Sequence, residues 1–386
     1  MSNLIPVFAR PSLKLIGGQG TKIWTETGEK FLDCISAHGV SNLGHGNQQL
    51  TQTISKIWQN YACATARFGH PVREKFLAKL AEELSPTLPE AKFFLSNSGT
   101  EAVEAALKFA RVLTKRTKIL AAKRAFHGRT FGSLSATWRP EIREPFAPLV
   151  PDFDFFTFND LASLAAKIDQ KTAAVILEPI QGEAGVYPAT RKFLQGVRKL
   201  CRAKGALLIC DEVQTGLGRT GKFLASEHLG IKPDLICLAK ALGNGYPIGA
   251  TAIQGKLLKE QKLRGLHSST FGGNVPACAV GLQVLNLITR KKLVTRAAEL
   301  GQEFKRGLQK INSPLIREVR GLGLMLAIEF KTPIAGKVTL EFRKQKILVL
   351  QSSACIIRFL PPLIITKSEI RKVINTLEKI LLNFAV

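Results

Sequence analysis

The middle of the chain alternates short apolar segments with longer segments of helical periodicity, and this alternation restricts the fold more than any other feature of the sequence. Residues 118–122, 173–177, 206–210 and 235–238 are short, apolar and followed by polar residues. Residues 98–113 carry apolar side chains at helical spacing. Nearly continuous apolar strands interleaved with helices are typical of a parallel sheet covered on both faces. The sequence therefore predicts an α/β fold.

The two ends of the chain follow other patterns. The first residues place turn-forming positions between short extended runs, which predicts an N-terminal arm with a small hairpin. The last third contains long helical stretches followed by short strand-like runs. We expect an arm (1–48) that forms part of a small α+β domain (274–386), with a large domain (49–273) between them.

Three of the apolar segments bring polar side chains to one edge of the predicted sheet. Glu178 and Asp211 follow their segments at once, and Lys240 comes two residues after its own. In such sheets ligands bind beyond the carboxyl ends of the strands. An acid there can keep a pyridinium nitrogen protonated, and a lysine in apolar surroundings has a depressed pKa that favours imine chemistry. Each residue alone could be structural, but together they indicate a site.

Two further motifs allow both a structural and a functional interpretation. Residues 96–101 end a strand and open a helix, so they form either a phosphate site or a capping box with Ser98 as N-cap and Glu101 as its partner. In residues 126–129 the ring of Phe126 could cover a planar heterocycle while Arg129 grips a carboxylate. The alternative is a loop with a buried ring and a surface arginine.

In this order and at these strand ends, the motifs resemble those of the class III (ornithine/acetylornithine-type) aminotransferases of pyridoxal-phosphate fold type I, along essentially the whole chain. The resemblance implies pyridoxal 5'-phosphate as the cofactor. It also implies a large domain with a mostly parallel seven-stranded sheet, a smaller α+β domain, and a homodimer whose active sites are shared across the interface.

The resemblance assigns roles to individual residues. Lys240 matches the catalytic lysine that binds the cofactor covalently, and Asp211 matches the acid at the pyridine nitrogen. Arg129 matches the arginine that holds the substrate α-carboxylate, and Glu183 matches the gate glutamate that pairs with an active-site arginine in one half-reaction. The other matches surround the cofactor and substrate: Gly99 and Thr100 at the phosphate, Phe126 on the ring, Val213 and Gln214 beside the ring and its phenolic oxygen, Ser269 on the substrate side, and Thr270 at the phosphate of the neighbouring subunit.

Residues 132–138, 143–150 and 357–363 look most like the branch of the family that acts on substrates tethered to the acidic amino-group carrier protein LysW. This likeness implies amino transfer between glutamate or 2-oxoglutarate and the terminal aldehyde or amine of a carrier-linked lysine or ornithine precursor. Residues 65–71 depart from the Tyr-bearing entry loop usual in acetylornithine enzymes, which could leave a wider mouth. An acetylornithine or N-succinyl-diaminopimelate aminotransferase acting on free substrate stays as the alternative.

The charge of the chain is unusually positive, with 55 Lys and Arg against 29 Asp and Glu and a net charge of +26. Such a field attracts polyanions, so an acidic carrier, a basic host proteome or a nucleic-acid-binding function each account for it. The basic residues are spread along the chain without the stacking aromatics of an RNA-recognition module, which favours the enzyme over the nucleic-acid binder.

The remaining composition predicts an ordinary cytoplasmic protein. The seven cysteines are scattered without a C-x-x-C pair, so we expect buried reduced thiols. The histidines and cysteines lack metal-ligand spacing, so we assign no metal. The sequence shows neither a signal peptide nor an apolar run of membrane-spanning length, so we expect no membrane association.

Overall fold

The structure is a computed structural model, and it describes residues 3, 5, 7, 13–259 and 263–384. The strands are β1 (Leu15–Gln19), β2 (Lys22–Thr25), β3 (Lys30–Asp33), β4 (Ala91–Ser96), β5 (Lys118–Ala122), β6 (Phe153–Phe156), β7 (Thr172–Leu177), β8 (Ile180–Gln181), β9 (Tyr187–Pro188), β10 (Leu207–Asp211), β11 (Leu235–Leu238), β12 (Gly249–Gln254), β13 (Ile316–Leu322), β14 (Met325–Phe330), β15 (Ile347–Leu348), β16 (Leu350–Ser353) and β17 (Ile356–Phe359).

The α-helices are α1 (Gln48–Trp58), α2 (Pro71–Leu84), α3 (Gly99–Thr114), α4 (Phe131–Ala136), α5 (Pro140–Arg143), α6 (Leu161–Ala165), α7 (Arg191–Lys204), α8 (Ser226–Leu229), α9 (Val275–Arg290), α10 (Leu293–Gln309), α11 (Ala335–Lys344) and α12 (Lys367–Leu382). Short 3₁₀ turns lie at Glu144–Phe146, Lys240–Leu242 and Gly255–Leu258.

A seven-stranded sheet in the order β4-β12-β11-β10-β7-β5-β6 forms the centre of the molecule. Its strand pairs are parallel except for those of β12, which runs antiparallel to both β11 and β4. The predicted mostly parallel, seven-stranded sheet is therefore confirmed. The expected helix over residues 98–113 is α3.

Helices cover both faces of this sheet, as near-continuous apolar strands require. All six residues of β7 are buried, and alternate side chains point to opposite faces. Ala174 and Ile176 pack in one cluster with the apolar side of α3, whereas Val175 and Leu177 pack in another with the apolar side of α7. Because both faces of the strands are packed, the strand ends are held rigidly. The polar residues that follow these strands are therefore held in place as well.

The N-terminal arm and the C-terminal part of the chain share a sheet. Strands β1, β2 and β3 form an antiparallel meander, and β15 pairs in parallel with β3. A second four-stranded sheet has the order β13-β14-β17-β16. Helix α9, which opens the predicted small domain, packs against α1 and α2. The exact domain boundaries stay a prediction.

The buried guanidinium of Arg219 ties the arm, the central region and the C-terminal region together. It donates to the carbonyl oxygens of Leu324 (3.0 Å) and Pro361 and to the side-chain oxygen of Asn42. Burial lowers the pKa of Arg219 to about 9, although Asp33 opposes this.

The seven cysteines are free thiols, which agrees with the expectation of reduced cysteines. Five of them are buried, but Cys63 is exposed and Cys355 is partly exposed, so the expectation of burial was wrong for these two. Within the described part of the chain, no helix is both long and apolar enough to cross a membrane.

Candidate active site

The parallel register of three neighbouring strands places the predicted polar residues at one edge of the sheet. Cys210 of β10 pairs with Leu177 of β7, and Asp211 pairs with Cys237 of β11. Glu178 follows Leu177 directly, and Lys240 follows β11 by two residues. The convergence expected from the sequence is therefore present, because carboxyl ends of parallel strands meet at one edge.

Asp211 is buried and its carboxylate has two partners in the described chain. Its Oδ2 lies 2.8 Å from Nδ1 of His127, and its Oδ1 accepts a hydrogen bond of 3.1 Å from the N–H of Val213. His127 is itself buried, and its Nε2 has no hydrogen-bond partner among the described residues. Sequence reasoning assigned no role to His127, although its position directly after Phe126 was a usable signal.

Glu178 is buried and accepts hydrogen bonds of 3.0 Å from the N–H groups of Phe126 and Gly182. It therefore anchors both the loop after β5 and the loop that carries Glu183. Burial, assisted by the nearby charge of Asp211, raises the pKa of Glu178 to about 7 in spite of the attraction of His127. We call Lys240, Asp211, His127 and Glu178 the floor of the site.

Lys240 adopts a left-handed backbone conformation, with φ of 46°, at the start of a short 3₁₀ turn. Its side chain keeps some solvent contact, but the surrounding protein is close enough that burial lowers the pKa of its amine. The carboxylates of Glu183, Asp211 and Glu178 oppose that shift. A neutral amine is the nucleophilic form, so the environment suits imine chemistry.

The N-terminus of α3 combines the two interpretations that the sequence left open. Ser98 caps the helix by accepting the N–H of Glu101, and the carboxylate of Glu101 accepts the N–H of Asn97 at 2.7 Å. The first N–H groups of the helix still lack acceptors within the helix, as at any helix start. A Cβ added at Gly99 would lie 2.7 Å from Cγ1 of Val213, so a side chain at this position would collide with Val213.

Thr100 connects the start of α3 to the loop that follows β5. Its Oγ1 accepts the N–H groups of Arg129 (3.1 Å) and Thr130 (3.2 Å). The guanidinium carbon of Arg129 lies 5.6 Å from the centre of the Phe126 ring, and the arginine is exposed. These bonds orient residues 126–130 toward the helix N-terminus.

A second group of side chains spans two regions of the fold, and we call Glu183, Arg358 and Gln214 the gate. Arg358 of β17 donates to Oε2 of Glu183 at 2.9 Å and to Oε1 at 3.2 Å, and Gln214 donates to Oε1 at 3.0 Å. Burial would raise the pKa of Glu183, but contacts with His38, Arg358 and Lys240 outweigh it and hold that pKa well below its ordinary value.

The loop of Glu183 is also held through its backbone by the C-terminal region. Arg358 donates to the carbonyl of Gly182 at 2.8 Å, Ser352 to that of Glu183, and Arg320 to that of Gly185 at 2.8 Å. The sequence suggested an unspecified arginine as the partner of Glu183. The structure supplies Arg358, which contributed to the family resemblance but was given no role.

Other predicted residues lie beside the floor and gate. Gln214 points toward Glu183 and donates also to the carbonyl of His38 at 3.2 Å. Ser269 accepts a hydrogen bond from the side chain of Asn97 at 3.2 Å, which places its loop next to the start of α3. Thr270 is exposed. The described residues contain no cluster of three or more His, Cys, Asp or Glu that could hold a metal ion.

Residues 9–381 match the family model of aminotransferase class III. The chain is a class III aminotransferase. It is 42% identical, over 97% of its length and 96% of the relative's, to the [LysW]-aminoadipate semialdehyde/glutamate semialdehyde transaminase of Sulfurisphaera tokodaii. It is 39% identical, over 99% of its length and 100% of the relative's, to the acetylornithine aminotransferase of Aquifex aeolicus.

The solved ornithine aminotransferase of Toxoplasma gondii superposes on this aminotransferase with a TM-score of 0.92 at 30% identity, covering 99% of this chain and 93% of the other. Family and fold together make the chain a pyridoxal-phosphate-dependent transaminase of fold type I. The residues present fit that cofactor, because a helix N-terminus closed by Gly99, a buried carboxylate and a lysine of lowered pKa lie at one edge of the sheet, with Gly99 against Val213 and Ala239.

Proposed function

We propose that this transaminase moves an amino group between glutamate or 2-oxoglutarate and the terminal aldehyde or amine of a lysine or ornithine precursor linked to an acidic carrier protein. The observation that carries the proposal is near-full-length identity of about two fifths to relatives named for LysW-linked semialdehydes. The net charge of +26 agrees with it, since a basic enzyme is steered toward an acidic carrier.

In the proposed site, pyridoxal 5'-phosphate supplies an electron-accepting ring that stabilises negative charge at the substrate carbon. Asp211, held by His127, keeps the ring nitrogen protonated. Gly99 and Thr100 bind the phosphate at the start of α3, and Phe126 and Val213 cover the ring. Lys240 would hold the cofactor through its amine, and the same amine would take up and return the proton of the substrate carbon.

The gate and Arg129 distinguish the two substrates in this proposal. Glu183 neutralises Arg358 while a terminal amine reacts, because the reacting carbon of that substrate has no carboxylate. Arg358 is available to the α-carboxylate when glutamate binds, so we move Arg129, expected from the sequence at the α-carboxylate, to a second substrate carboxylate. Guanidinium groups suit this task, since they bind carboxylates through two parallel hydrogen bonds.

A homodimer forms part of the proposal. In it, the loop of Ser269 and Thr270 reaches into the neighbouring subunit, where Thr270 contacts the cofactor phosphate. Large apolar side chains near this loop support an interface, because Phe271 is 61% exposed and Trp58 is 58% exposed in the isolated chain. Both side chains line a cavity of about 510 Å³, together with Asn97 and Asn274. A cytoplasmic location goes with this biosynthetic role.

Substrate competition tests the proposal directly. We expect the enzyme to turn over a carrier-linked amine with a much higher kcat/KM than free N-acetylornithine, and to lose that advantage as salt rises, because steering between opposite charges is screened. A strong preference for free N-acetylornithine at low salt would instead favour the acetylornithine alternative, which the Aquifex aeolicus relative supports.

A further inference from the structure

Residues Ser36 to Gly39 form a single left-handed turn beside the gate. Their φ angles are 47°, 48°, 63° and 85°, and only the last belongs to a glycine. The turn is stabilised from its start, because Oδ1 of Asp33 accepts the N–H groups of Ile35 (2.8 Å) and Ser36 (2.9 Å). Successive left-handed residues with side chains are strained, and such strain tends to persist at functional sites.

The turn presents His38 to the gate glutamate. Nδ1 of His38 lies 3.6 Å from Oε1 of Glu183, a distance suited to an ion pair but longer than a hydrogen bond. The side chain of His38 is 53% exposed, so it has no packing role that would account for its position. Gln214 fixes the arrangement, because its amide donates both to Oε1 of Glu183 and to the carbonyl of His38.

The two oxygens of Glu183 have different surroundings. Oε2 receives the closer contact of Arg358, at 2.9 Å. Oε1 faces Gln214 at 3.0 Å, Arg358 at 3.2 Å and His38 at 3.6 Å. The guanidinium of Arg358 and the imidazole of His38 therefore approach one carboxylate from different residues. A partly buried carboxylate that loses its partner is costly, so a second polar side chain beside Oε1 would make the departure of Arg358 easier.

We propose that His38 is a positioning residue of the gate, which takes over Oε1 of Glu183 when Arg358 turns to bind a substrate carboxylate. The proposal rests on the assignment of Glu183 and Arg358 to the glutamate step given above. It predicts that His38 assists the half-reaction that needs Arg358 free and leaves the other half-reaction unaffected.

The variant H38G separates the imidazole from the backbone. Glycine adopts left-handed φ angles without strain, so the turn should keep its shape while the ring is lost. We expect the single-turnover conversion of the cofactor-loaded enzyme by glutamate, followed by the cofactor absorbance, to slow by about 2- to 5-fold at low glutamate. Conversion by N-acetylornithine, whose reacting carbon bears no carboxylate, should keep its wild-type rate.

The double variant H38G/E183Q supplies the control. If His38 acts through Glu183, H38G should slow the glutamate reaction in the wild-type background and have no further effect in E183Q. Equal slowing with both amines, no slowing with glutamate, or the same slowing in E183Q would each overturn the role of His38. If the wild-type enzyme reacted with neither glutamate nor N-acetylornithine, the proposed function itself would be overturned.

Discussion

The floor and the gate lie in the same cleft but are built in opposite ways. Floor residues follow neighbouring strands of one sheet, or lie in the loop after β5, and they are bonded within that region: Asp211 to His127, and Glu178 to two backbone N–H groups. The gate joins the loop of Glu183 to Arg358 of β17, 175 residues later in the chain. The floor thus rests on one rigid sheet, whereas the gate depends on how two regions meet.

The difference in partners suggests a division of work. Each floor carboxylate has neighbours that cannot leave, since they belong to the backbone or to a buried ring. The carboxylate of Glu183 is 27% exposed and is approached by three side chains that can exchange. A fixed floor suits a cofactor that stays in place, and an exchangeable gate suits two substrates that differ in charge.

Replacing Lys240 should break the floor most severely. We expect K240A to lower kcat by about 10²- to 10⁴-fold, because the amine proposed to move the proton is gone. Mass spectrometry after borohydride reduction should find no cofactor attached to the variant. K232A is the matched control, because Lys232 precedes the same strand β11 and is exposed. Cofactor attachment that survives in K240A would remove Lys240 from its assigned role.

Replacing Glu178 tests the electrostatics of the floor without cofactor. The pKa of this glutamate is about 7 in the folded chain against an ordinary value of 4.5, so the folded protein binds the proton more tightly. Protonated Glu178 therefore stabilises the folded state fully below pH 4.5. This contribution to the free energy of unfolding, about 3 kcal/mol, is lost as the pH rises to 7.

We therefore expect the free energy of unfolding of the apo-protein, measured in urea, to fall with pH by about 3 kcal/mol more in wild type than in E178Q between pH 4.5 and 7. The glutamine of E178Q cannot ionise. Any loss of unfolding free energy that the amide itself causes is therefore the same at every pH and does not change the difference in slope. Parallel pH profiles for the two proteins would show that Glu178 is already ionised throughout.

Replacing Arg358 should separate the gate from the floor, because we expect it to weaken the reaction with glutamate and not the reaction with a terminal amine. We expect R358Q to raise the KM for glutamate by about 10- to 100-fold, the value of a lost hydrogen-bonded contact to a charged group. Cofactor attachment and the reaction of a terminal amine should change little. R371Q on the exposed side of α12 provides the control. A loss shared equally by both substrates would assign Arg358 to the support of the Glu183 loop alone.

The floor could be predicted from the sequence much better than the gate. Asp211 and Lys240 follow apolar segments whose length and composition identify buried strands, and parallel strands end at the same edge. Arg358 gave no such signal, since its pairing with Glu183 depends on how β17 docks against a loop of another region. The expected place of Gln214 beside the phenolic oxygen of the cofactor stays a prediction, but its hydrogen bonds to Glu183 and His38 had no signal in the sequence.

Backbone details were less accessible still. The antiparallel strand β12 between β11 and β4 was not anticipated, because direction within a sheet depends on the connection and not on side-chain pattern. The left-handed turn at Ser36–Gly39 has a single glycine, so composition gave no reason to expect consecutive positive φ angles. Its start is held by Asp33, which accepts the N–H groups of Ile35, just before the turn, and of Ser36.

Arg219 has a consequence for how the molecule comes apart. Its guanidinium donates to three neutral oxygens. One belongs to Asn42 in the arm, and the other two belong to Leu324 and Pro361 in the C-terminal region. Detaching either region would strand a desolvated positive charge, so partial melting is penalised relative to complete melting. We therefore expect the arm and the C-terminal region to unfold together with the central region, so that the floor and the gate are lost in the same transition.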